Sequence, residues 1–82
     1  MANVIFIPTK VDMPSDEHKS LLLAIELGKE QELVLCRGCY SSGVFYTENR
    51  WIEYDLEHGF ANVIGWADLD ECYKEARELQ GM

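Results

Sequence analysis

Cys36-Arg37-Gly38-Cys39 is the segment whose residue types and spacing come nearest to chemistry, because two thiolates two residues apart can grip one tetrahedral zinc ion. A closed zinc site needs four ligands, and Cys72, His58 and His18 are the other side chains of the right kind. Packing accounts for the same cysteines without metal: Cys36 is in phase with Val34 on an apolar strand, and Cys72 falls on the apolar stripe of a helix. A thioredoxin-type redox pair stands at a helix N-terminus that lowers the thiolate pKa, whereas this pair leaves a strand and enters a turn. Nucleophilic catalysis would require Cys39 or Ser42 beside a base. His58 with Asp55 or Glu57 supplies those types, but His58 precedes Gly59 in a polar loop where a solvated histidine is the ordinary finding. The glycines at 38 and 43 lack the spacing of a phosphate-cradling loop followed by lysine and helix. No catalytic residue, metal or cofactor is assigned, and the chain is read as a non-enzyme.

The aromatic residues carry more. Tyr40, Phe45, Tyr46, Trp51, Tyr54, Phe60 and Trp66 all fall in or beside one run of short strands. Most must be core, yet strand alternation sends about half of such a set to the opposite face of a sheet. Tyr40, Tyr46, Trp51, Tyr54 and Trp66 are therefore the candidate partner-binding residues, since tyrosine and tryptophan are enriched in protein interfaces. The partner so implied is another protein or a second copy of this chain.

The elements that must position these residues follow from hydrophobic period. Asn3-Val4-Ile5-Phe6-Ile7, ending at Pro8, reads as a strand buried on both faces. Met13-Pro14-Ser15-Asp16-Glu17 has the form of a helix start, with Ser15 as N-cap, and Gly28 is a natural stop. His18, Leu21, Leu22 and Ile25 recur at helical spacing, although Leu21, Leu23, Ile25 and Leu27 would serve a strand. The Ala, Leu, Glu and Lys content favours a helix over 15–28. Glu32-Arg37, Gly43-Thr47, Arg50-Asp55 and Asn62-Trp66 read as strands joined by turns at 38–42, 48–49 and 57–61. Asp68-Leu69-Asp70-Glu71 opens a final helix, with Asp68 as N-cap. Its stripe of Leu69, Cys72, Tyr73, Ala76 and Leu79 should lie on the sheet. The expected fold is α+β, an antiparallel meander of four to five strands against a C-terminal helix, in the order β-α-β-β-β-β-α.

Composition bounds the rest. Eighty-two residues support one core, so residues 1–82 are expected to form one domain. Apolar residues make up 48% and charged residues 27%, the balance of a folded protein. The net charge is −8, and Glu48 to Met82 holds nine acids against Arg50, Lys74 and Arg77, a net of −6. Such a surface repels phosphate backbones and anionic lipid, which disfavours direct nucleic-acid or membrane binding. Apolar runs are too short to span a bilayer, the first residues lack an export signal, and three cysteines make no closed disulfide set. The cytoplasm is the expected compartment.

Glu32-Leu33-Val34-Leu35, Gly43-Val44-Phe45-Tyr46, Arg50-Trp51-Ile52 and Val63-Ile64-Gly65-Trp66-Ala67-Asp68-Leu69 together form a recognisable series, opened by Ile5-Phe6-Ile7-Pro8 and Met13-Pro14. In these segments, about half the chain, it resembles the short prophage-associated proteins of domain of unknown function family 551. Those carry a VLV-type strand, a G-x-Y-type strand, a tryptophan strand and a closing HWMPL-type segment. The chain departs from them at 15–28, at Gly65 where the family usually has histidine, and in its terminal helix. The resemblance implies a small β-rich accessory protein of a phage or other mobile element and transfers no catalytic residue. The function expected is a protein-binding module. The alternatives are a zinc-stabilised module built on the CxxC pair, an acidic nucleic-acid mimic, and a small enzyme with Cys/His chemistry.

Overall fold

Leu21–Leu27, the strand β2, is the middle of a five-stranded antiparallel sheet in a computed structural model that describes residues 6–14 and 20–82. Around it lie β1 (Ile7–Pro8), β3 (Glu32–Ser41), β4 (Val44–Thr47) and β5 (Ala61–Asp68), in the spatial order β1-β5-β2-β3-β4. The helices are α1 (Arg50–Glu57), between β4 and β5, and α2 (Leu69–Gln80), after β5. The α+β fold and its antiparallel sheet agree with the sequence reading. The element order does not, being β-β-β-β-α-β-α.

Two reassignments make the difference. The helix expected over 15–28 is strand from Leu21 to Leu27, while its proposed N-cap Ser15 lies outside the described residues. A strand covered on both faces needs apolar residues at nearly every position, and β2 buries Leu21, Leu23 and Ile25 on one face and Ala24 on the other, which erases the period that separates strand from helix. The strand expected over Arg50-Asp55 is helix α1, and the tight turn expected at Glu48-Asn49 is its N-cap. Asn49 Oδ1 accepts from the backbone N–H groups of Trp51 and Ile52 at 3.0 and 3.2 Å, satisfying donors that the helix leaves unpaired. Asn49→Ala should lower stability by about 1 kcal/mol in urea unfolding, the usual cost of losing a side-chain cap.

β2, β3 and β4 form a meander, after which α1 carries the chain across the sheet so that β5 pairs with the far side of β2. One face of the sheet is the core: Leu21, Leu23 and Ile25 are fully buried against Ile52 of α1 and Ala61 of β5. Val34, Cys36, Tyr40, Phe45, Leu56, Val63 and Trp66 close around them. The segment after β1 is stitched to β5 by Thr9 N to the Ile64 carbonyl at 3.1 Å and Thr9 Oγ1 to the Val63 carbonyl at 2.9 Å. The opposite face carries Leu22, Ala24 and Glu26 of β2, Leu33, Leu35, Arg37 and Cys39 of β3, and Val44 and Tyr46 of β4, as register dictates.

α2 begins as expected, with Asp68 Oδ1 accepting from the N–H groups of Asp70 and Glu71 at 2.9 and 3.4 Å. It packs on the ends of β5 and β2, and Leu69 N donates to the Ser20 carbonyl at 3.1 Å. Tyr73 sits on the side of the sheet away from α1, its hydroxyl accepting from Arg37 Nη1 at 3.3 Å. No residue of α2 is buried. The stripe drawn from sequence exists, but most of it has no sheet beneath it.

Candidate functional site

The outward side of α1 is an aromatic surface. Ile52 and Leu56 face the sheet, and helical spacing places Trp51, Tyr54 and His58 together on the other side. Trp51 is 82% exposed, and Tyr54 and Phe60 are exposed as well. The rings of Tyr54 and His58 stack at 4.0 Å and 23°, and His58 and Phe60 lie nearly parallel at 6.4 Å and 12°. His58 Nδ1 is 2.9 Å from the Tyr54 carbonyl, and since a carbonyl only accepts, Nδ1 is the donor of this bond.

Local backbone chemistry builds this stack. Gly59, at φ 79°, takes the left-handed conformation that closes α1. Phe60 N then donates to the Asp55 carbonyl at 2.7 Å and Gly59 N to the Leu56 carbonyl at 3.4 Å, the paired bonds of a Schellman motif. The motif brings Phe60 back beside His58. Three rings are thus held by a helix end instead of by a partner. By helical spacing Asp55 is the acid on the ring side of α1, while Glu53 and Glu57 line the cleft beside Leu56.

The five partner-binding candidates are distributed over the fold. Trp51 and Tyr54 belong to the α1 surface. Tyr40 packs against Phe45 along the core margin, ring centroids 4.8 Å apart and tilted by 54°, and Trp66 packs on the core with its indole N–H donating to the Asp12 carbonyl at 3.0 Å. Both are engaged in holding the fold. Tyr46 is exposed on the opposite sheet face. His58 and Phe60 were missed as members of the aromatic surface; the i,i+4 spacing of Tyr54 and His58 would have revealed the pair had 50–57 been read as helix.

The chemistry-bearing cysteines do not converge. Cys36 lies with the core cluster and Cys39, three residues along the same strand, on the other face, so the turn expected at 38–42 is strand up to Ser41. Cys72 lies on α2 and His58 beyond α1, whereas His18 is outside the described residues. Burial pushes the Cys36 thiol above its ordinary pKa, and burial, reinforced by the Glu75 carboxylate, does the same to Cys72. Neither is an activated thiolate. Among the described residues no group of three or more His, Cys, Asp or Glu side chains is placed to hold a metal ion. An open cleft of about 800 Å3 between α1, β4 and the start of β5 is lined by Lys10, Phe45, Glu53, Leu56, Glu57 and Val63 among others, with no cysteine or histidine. No helix among the described residues is long and apolar enough to cross a membrane. Comparison with protein-family models, with curated proteins and with solved structures finds no match.

Proposed function

We propose that this chain is a non-enzymatic protein-binding module, an accessory protein of a phage or other mobile element, that recognises a basic protein surface through the outer face of α1. The observation that carries the reading is the exposure of Trp51 beside a Tyr54–His58–Phe60 stack already ordered by the helix terminus. Rigid aromatic anchors lose little freedom on binding and dominate interface energetics. Asp55 on the ring side of α1, on a chain of net charge −8, complements Arg and Lys, and arginine stacks well on aromatic faces. The resemblance to the family 551 proteins supplies the mobile-element setting.

Affinity capture from the native host with wild-type and Trp51→Ala baits tests this. A bound protein should be retained by the wild type at low salt, weakened by added salt, and held about 30-fold less tightly by Trp51→Ala, the loss expected of a hot-spot residue worth about 2 kcal/mol. Equal capture by wild type, Trp51→Ala and Tyr54→Ala would remove the proposal.

A further inference from the structure

We infer that two copies of this chain pair through the sheet face opposite α1, each laying its α2 stripe on the other's exposed strands. One chain presents both halves of an unfinished layer. The sheet half is Leu33 and Leu35 of β3, 60% and 56% exposed where β3 is paired with β2 alone, with Val44 and Tyr46 of β4 exposed further along the same face. The helix half is Tyr73 and Leu79 on α2, the latter 65% exposed. Among the described residues, strands exposed beyond the reach of α2 and the exposed last turns of a helix that covers only the ends of β5 and β2 are the two components of an α/β layer.

Chain geometry explains why they do not meet within one copy. Asp68 is at once the last residue of β5 and the N-cap of α2, so no linker lets the helix turn back. It starts where Asp68 pairs with Leu21, whereas Leu33 pairs with Glu26 near the other end of β2, roughly 17 Å away at about 3.3 Å per residue. A 12-residue helix is of marginal stability by itself in water, so α2 gains from an apolar surface under its last turns. A twofold axis satisfies both deficits at once, because the same patch then serves as donor and acceptor of the helix.

The area is adequate. Leu33, Leu35, Val44, Tyr46, Tyr73 and Leu79 expose on the order of 700 Å2 per chain, close to the roughly 800 Å2 per partner of a standard protein interface. This surface shares no residue with the aromatic face of α1, so either can fail without the other.

Light scattering during size exclusion reads the result on the full chain. The wild type should run at twice its 9.4 kDa mass, and because each copy carries −8, added salt from 50 to 500 mM should tighten the pairing. Leu35→Lys and Leu79→Lys should each weaken it at least about tenfold, with the circular dichroism of the monomer unchanged since both side chains are exposed. A wild type that stays at 9.4 kDa up to about 200 μM would overturn the inference, as would a dimer loosened by salt. A dimer that survives either substitution would also overturn it, since the reciprocal contact needs both surfaces.

Discussion

Leu23→Ala is expected to lower the unfolding free energy by about 3 to 4 kcal/mol, the middle of the range for a leucine deleted from a well-packed core. Leu23 is fully buried on the central strand, paired with Cys36 on one side and Trp66 on the other, and lies in the cluster shared with Ile25 and Ile52. Its removal opens space that cannot close by side-chain movement alone, because β2 is held by hydrogen-bonded neighbours along both edges. At roughly 0.05 to 0.15 kcal/mol per residue, a domain of 82 residues has on the order of 4 to 12 kcal/mol in total. The variant should therefore show a urea midpoint reduced by about a quarter or more, with some preparations already partly unfolded in buffer. Val11→Ala, at a side chain 77% exposed, should stay within about 0.5 kcal/mol of wild type. Equal midpoints for the two variants would mean that the core is centred elsewhere than on β2.

That centre was the element hardest to read from sequence. Leu21-Leu22-Leu23-Ala24-Ile25-Glu26-Leu27 contains both a helical and a strand stripe, and composition leans the wrong way, since Leu, Ala and Glu are good helix formers. Pairing on both edges overrode the propensity. Arg50–Glu57 failed for the converse reason: its tryptophan, isoleucine and tyrosine mimic a strand, while the deciding signals were Asn49 as a cap and Gly59 as a stop. The caps of α2 were legible because they are local. Its burial was not, because an apolar stripe states what a helix can cover and says nothing about where the preceding strand will aim it. The aromatic set divided along the same line. Tyr40 and Trp66 went to the core face by register, whereas Trp51 and Tyr54 became neighbours only once their segment was helical, and so the α1 surface could not be assembled before the fold was known.

Gly38→Ala should be as damaging as a core deletion, at about 3 kcal/mol, although it adds a single methyl group. The backbone at Gly38 is not left-handed, so the reason is space and not conformation. A Cβ there would run into the carbonyl oxygen of Tyr46 on β4 and come within 2.8 Å of Leu23 Cδ1. The side chain could yield; the carbonyl belongs to a strand whose pairing with β3 begins at Gly38 itself, opposite Thr47. Relieving the clash means prising β4 from β3, which strains the ladder that seats Tyr40 against Phe45 and sets the entry to α1 at Asn49. Overpacking costs typically 1 to 3 kcal/mol, and loosened ladder hydrogen bonds add about 1 kcal/mol each. Gly65→Ala provides the contrast. Its new Cβ would meet the Ile7 carbonyl at 3.4 Å and Phe6 Cβ at 3.6 Å, ordinary contact distances, and replacing a strand glycine removes unfolded-state entropy. Gly65→Ala should fall within about 1 kcal/mol of wild type in either direction. If urea unfolding ranks Gly38→Ala level with Gly65→Ala, the close approach of β4 to β3 at Gly38 is not a feature of the folded chain.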